Sequence, residues 1–161
     1  MKLSRDGILI VQCPDYSSVP AKLFGPRWFH FDSPRHIFHY SKEGLGALLE
    51  KSGFTVVHQK TRYLPYDIFG IFQSWMNVIT GKENLFNELI KSRKAHKAQK
   101  LSMNHKKTDI LQQLCATPIA IILTFSTLVL CFLTGGFGTL EYIAKVRSDF
   151  NKLTHSIAMK T

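Results

Sequence analysis

The sequence predicts an α/β fold, and three segments carry the prediction. "GILIVQC" follows the turn at Asp6-Gly7 and stops at Pro14; its apolar run is too short for a helix and reads as a strand at 7–13 buried on both faces. Ser41 then has the chemistry of a helix N-cap ahead of Lys42-Glu43-Gly44 and the apolar Leu45, Leu48 and Leu49. Gly53 stands where that helix should end, and "FTVVHQK" reads as a second strand at 54–60. Finally, "GGFGTLEYIAKV" is a glycine turn entering a third strand at 139–146. Strand, helix and strand in that order make a layered α/β protein.

The bulk numbers bound what such a fold can be. The 161 residues suit one domain with a modest core, and 45% apolar with 20% charged residues fit a folded chain. The formal charge of +10 favours anionic partners, and it is concentrated: Lys91 to Lys107 holds seven Lys/Arg and no acid. Cys13, Cys115 and Cys131 are scattered without a CxxC pair, which suits buried thiols in a reducing, cytoplasmic setting. "MKLSRDGILIVQCPD" has a short apolar run ended by Pro14 and Asp15, unlike a signal peptide.

Between the second and third strands, residues 66–90 read as one or two amphipathic helices broken at Gly81. The basic block follows, and no charged residue lies between Asp109 and Glu141. The segment 116–133 approaches the roughly 20 residues that span a bilayer. If the third strand joins the earlier two in one sheet, both ends of this segment must lie on one side of a membrane. An interfacial helix beside the basic block, or a buried helix, satisfies that condition better than a true span. Pro118 is expected in the helix's first turn, where proline is tolerated. Nucleic acid is disfavoured as a partner, since charge alone gives only sequence-independent phosphate contact and no recognition motif is present.

Three stretches together resemble one family. "DGILIVQCPD" resembles the fifth strand of class I S-adenosylmethionine-dependent methyltransferases. "WFHFDSPRHIFHYSKEGLGALLEKSGF" resembles the Asp-x-Pro-Arg-His loop, aromatic-Ser cap and following helix of one branch of that family, and "GGFGTLEYIAK" resembles its final strand. The match covers residues 3–64 and 135–147. The resemblance implies the C-terminal half of a Rossmann-like sheet of three strands, with 139–146 antiparallel between the other two. It also implies a helical insert at 66–134 and an open apolar edge where a fourth strand would have met the first. On this reading 1–147 is a partial methyltransferase-like domain and 148–161 a polar tail. The family's glycine-rich turn and ribose-binding acid belong to its first half. "TGGFG" follows an apolar run and precedes a strand, so it is expected to be a plain turn, and S-adenosylmethionine to be bound only in a completed enzyme.

The long loop from Pro14 to Tyr40, which contains "GPRWFHFDSPRHIFHYS", leaves the C-terminal end of the first strand, where ligands of α/β sheets bind. Three readings of it stand. His30, Asp32, His36 and His39 could ligate a metal, although their spacing matches no common zinc pattern. His36 or His39 could act as a general base on a methyl acceptor, with Tyr16, Trp28 and Arg35 binding that substrate. The structural reading leads. In it Asp32 starts a turn at Ser33-Pro34, Arg35 binds carbonyls or a carboxylate, and Trp28, Phe29 and Phe38 fill the loop core. The functional expectation is a substrate-side methyltransferase half, inactive alone, with a small-molecule acceptor: a fragment, a truncated gene product, or one piece of a split enzyme completed by another chain. The alternative is a non-catalytic module that binds an anionic membrane or a partner.

Overall fold

The computed structural model describes residues 7–31, 36–84 and 107–147. Asp32 to Arg35, most of the basic block and the tail from 148 lie outside them, and with them the expected turn at Ser33-Pro34 and the role given to Arg35. The fold is α/β. Three strands, β1 (Ile8–Pro14), β2 (Phe54–Lys60) and β3 (Thr139–Val146), form one sheet in the order β1-β3-β2. β3 runs antiparallel to both neighbours, pairing Ile10 with Ile143 on one side and Val56 with Ala144 on the other. This is the order implied by the resemblance. The β2 register shifts between Val56 and His58, a bulge that leaves Val57 without a partner on β3.

Local chemistry explains where each helix begins and ends. Ser18 caps α1 (Val19–Phe24), its hydroxyl accepting the Ala21 N–H at 3.2 Å, with Pro20 in the first turn. Two short 3-10 turns, Gly25–Arg27 and Phe29–Phe31, carry the chain onward. Ser41 caps α2 (Lys42–Lys51) as expected, accepting from Gly44 N at 3.0 Å. Gly53, at φ 84°, then makes the left-handed exit into β2. α3 (Leu64–Thr80) has Pro65 in its first turn and is closed by Gly81, whose φ is 68° and whose N–H donates to Asn77 O at 3.1 Å. α4 spans Lys107–Thr134 and runs antiparallel to α3: Gln112 reaches Thr80 O, and Trp75 reaches Thr127.

Two packing centres result. Leu45 and Leu49 of α2 pack on Leu140 and Tyr142 of β3, flanked by Leu9, Val11 and Val56, while the Tyr142 hydroxyl donates to Lys42 O at 2.7 Å. Beyond the C-terminal end of β1 lies a helical layer centred on Phe24, Trp28, Ile71 and Phe137, continued along α3 and α4 by Met76, Ala116 and Ala120. Asp67, only 2% exposed, joins the two: its carboxylate accepts from Tyr63 N at 2.8 Å and from Thr139 Oγ1 at 2.9 Å.

Three expectations are corrected. β1 is covered on one face only: Leu9, Val11 and Cys13 face α2, while Ile8 is 54% and Ile10 64% exposed, because no element packs on the opposite face of the described sheet. Pro118 lies well inside α4 rather than in its first turn, since the helix is already formed at Lys107. The missing proline N–H removes one helical bond, and the Thr117 hydroxyl caps the neighbouring Gln113 carbonyl at 2.8 Å. A buried α4 is also excluded, because Phe125 is 71% and Leu133 80% exposed.

Close packing of α3 makes one substitution informative. A Cβ on Gly70 would collide with the His30 imidazole. Gly70→Ala should therefore lose about 1–2 kcal/mol by thermal melting, despite the usual gain in helix propensity of roughly 1 kcal/mol. An unchanged or raised melting temperature would show that the His30 ring swings aside freely.

Candidate functional site

β1 ends at Pro14, and the following loop returns to the same point. Asp15 forms a parallel bridge with Tyr40, and Tyr16 N donates to Tyr40 O at 3.0 Å. Asp15, itself buried, holds the turn by accepting from Ser17 N at 2.8 Å and from Ser17 Oγ at 2.6 Å. The loop therefore has adjacent ends and a body packed over α3. Between them opens a cleft of about 670 Å³.

One wall of the cleft is aromatic. Tyr16 and Phe31 meet edge to face at 5.8 Å, Trp28 stands 6.3 Å from Phe31, and the His39 ring lies 4.5 Å from Phe31 and 6.1 Å from Tyr16. The other wall is polar: Lys22, Asn77, Glu83 and Asn84. Asn77 is the hub there. Its amide donates to Arg27 O at 3.1 Å and to Asn84 Oδ1 at 3.3 Å. Its own Oδ1 accepts from Gln73 Nε2 and from Asn84 N, both at 2.8 Å. Asn84 adopts φ 57°, a left-handed conformation that asparagine tolerates. Ser74 secures the floor, accepting from Phe29 N at 2.9 Å while donating to Gly70 O at 2.6 Å.

Tyr16 and Trp28 line the cleft. Trp28 is also a core residue at 2% exposure, and among the described residues its indole N–H has no hydrogen-bond partner. His39 reaches the cleft's aromatic wall, whereas His36 is exposed to solvent. Phe29 packs on Phe69 at 5.3 Å, while Phe38 is exposed and does not fill the loop core. Among the described residues no three His, Cys, Asp or Glu side chains converge on a metal geometry. Cys13 is no nucleophile at neutral pH: burial, and then the charge of Asp15, push its thiol up to about 11.

The sequence reading missed Lys22, Asn77 and Asn84. A signal for Asn77 was present: Gln73 and Asn77 stand four residues apart, a polar pair on one face of a mostly apolar helix. The arrangement can hold a flat or amphipathic small molecule, with stacking from one side and amide hydrogen bonds from the other. Comparison with protein-family models, with curated proteins and with solved structures finds no match.

Proposed function

We propose that these residues form the substrate-side half of a methyltransferase-like sheet, whose cleft receives a small-molecule methyl acceptor. The observation that supports this most is the strand order β1-β3-β2, with β3 antiparallel inside the sheet, in a chain whose loop and strand sequences resemble that family. The cleft lies beyond the C-terminal end of β1, where such sheets hold their ligands. In methyl transfer the acceptor's nucleophile would bond to the methyl carbon as the carbon–sulfur bond of the cofactor breaks to leave a neutral thioether, and the acceptor's proton would pass to a base such as a histidine packed against the cleft's aromatic wall. His39 beside Tyr16 suits that role by position; His36, three residues away and open to solvent, is the other candidate.

S-adenosylmethionine itself does not fit the residues described. The glycine cluster of this chain is already filled from within: Val19 N donates to Gly136 O at 3.1 Å, and a Cβ on Gly136 would strike the Val19 side chain. The cofactor would have to be held by residues other than those described, on the open side of β1.

Calorimetry with S-adenosylmethionine and this chain alone is therefore expected to give no measurable heat of binding; a micromolar dissociation constant would overturn the assignment of the chain to the acceptor side. In an enzyme completed by a cofactor-binding chain, His39→Ala and His36→Ala should be compared for turnover and for melting temperature. Loss of a catalytic histidine lowers turnover by about 100-fold or more at unchanged stability. Parallel loss of both would leave only a structural role. The second reading, a membrane-binding module, is favoured by the exposed apolar surface of α4.

A further inference from the structure

Helix α4 is built inside out. The residues it packs inward are small or polar: Gln113, Ala116, Ala120, Thr124 and Thr127 are all buried. Those it turns outward are large and apolar: Leu114, Ile122, Phe125, Val129 and Leu133 are all exposed, at spacings that put them on one stripe. On α3 the seam is formed by Met76, fully buried against Ala116 and Ala120, with Phe72, Trp75 and Ile79 beside it, so the large apolar side chains of the pair come from α3 and the small ones from α4. A helix resting on a core in water shows the opposite pattern, apolar inward and polar outward. Next to lipid, large apolar side chains have no reason to turn inward, and helices associate through small residues and hydrogen bonds, as α3 and α4 do here. Trp75 Nε1 donates to Thr127 Oγ1 across the seam at 3.0 Å, and Gln112 Nε2 to Thr80 O at 3.2 Å. The exposed hydroxyls also turn back on their own helix, Ser126 to Leu123 O at 2.9 Å and Thr134 to Leu130 O at 2.8 Å.

Charge identifies the surface. Within α4 the 25 residues Ile110–Thr134 carry none. At the C-terminal end the Arg62 guanidinium lies 5.4 Å from the Phe132 ring centre. In the sequence before the N-terminal end stands the block of seven Lys/Arg without an acid. Arg62 beside one end of the apolar stripe, and a basic run preceding the other end in sequence, suit an anionic headgroup layer. They oppose a second copy of this chain, which would bring like charges together. A crossing is also disfavoured: α3 lines one side of α4 from Thr80 to Ile71, and the helix passes through Gly135 directly into β3.

We infer that α4 is a membrane-surface helix, lying in the plane of an anionic bilayer with its Leu114–Phe125–Leu133 stripe among the acyl chains and Arg62 at headgroup level. The inference stands apart from the methyltransferase reading, since neither the cleft nor a cofactor enters it. The full chain should float with vesicles of phosphatidylcholine containing phosphatidylglycerol, and less with phosphatidylcholine alone. Rising salt should weaken this without abolishing it, because insertion of the stripe is unscreened. The double variant Ile122→Glu/Phe125→Glu, at two exposed positions, should lose at least about tenfold in vesicle affinity with an unchanged circular dichroism melt. Trypsin added outside sealed vesicles should cut both within 91–107 and within 148–161. Failure of the wild type to float, flotation of the double variant, a wild-type dimer that the double variant dissociates, or cutting on only one flank of α4 would each overturn the inference.

Discussion

Replacing Asp67 by leucine is expected to lower the stability of the fold by about 3 kcal/mol, measured by urea unfolding at neutral pH. The substitution removes the acceptor of three donors at once: the half-buried Tyr63 N–H at the start of α3, the Gly138 N–H, and the buried Thr139 hydroxyl at the start of β3. It also cuts the polar tie between the helical layer and the sheet. Burial acts on Asp67 in the other direction, raising its pKa above 3.8, while hydrogen bonds from Tyr63, Thr139 and Gly138 and the charge of Arg62 pull it back. The folded state thus holds the proton more tightly than the unfolded chain. Stability from this group is greatest at acid pH and falls as pH rises from 3.8 through the raised folded value. Asp67→Asn separates the two effects. An amide in the same place accepts the Tyr63 N–H through its oxygen and donates to Thr139 Oγ1 through its nitrogen. The asparagine variant should therefore match or exceed the wild type at neutral pH, and the wild type should gain on it as the pH is lowered. A difference between them that is flat across the acid range would show that the carboxyl titrates as it does in the unfolded chain.

How far the sequence reveals such features depends on the range of the chemistry involved. The cap at Ser41, the exits at Gly53 and Gly81, and the three strands are set by neighbours within a few residues, and they stand where those residues place them. Burial is set by what arrives from elsewhere. "GILIVQC" is apolar at almost every position, a pattern of strands covered twice, yet only α2 comes to cover it, so Ile8 and Ile10 face solvent. Pro118 was misplaced for a related reason: the helix start was read from hydrophobicity, while the backbone is already helical in the polar stretch at Lys107. The same limit applies to the cleft. Tyr16, Trp28 and His39 belong to one loop and can be read together. Lys22, Asn77 and Asn84 reach that loop only through the packing of α1 and α3. The inverted seam of α4 was equally hidden, because its meaning depends on which face α3 occupies.

Wild-type chain is expected to self-associate through the open edge of β1, and Ile10→Lys to raise the concentration at which it does so by about tenfold or more. The main-chain bonding pattern identifies the exposed groups. Asp15 N donates to Gly138 O at 2.9 Å, so Asp15 belongs to a bonded pair, and antiparallel pairing alternates along the strand. Cys13, Val11 and Leu9 therefore bond to β3, whereas Ile8, Ile10 and Gln12 turn their amides and carbonyls to the open edge. Their side chains stand on the uncovered face, where Ile8 and Ile10 are exposed. Pro14 has no N–H to offer and blunts only the last position of the edge. A strand with free hydrogen-bonding groups and two exposed isoleucines is a template for another strand. Lysine at position 10 places a charge on that template, and because the side chain is already exposed it should change monomer stability by no more than about 0.5 kcal/mol. Light scattering against concentration reads the effect. The α4 variant Ile122→Glu/Phe125→Glu is the matched control: it leaves the β1 edge intact and should leave this association in place. If the chain stays monomeric at high concentration, or if the α4 variant and not Ile10→Lys disperses it, the edge is not the adhesive surface. The place proposed for the cofactor-holding residues, on the open side of β1, would then lose its physical basis.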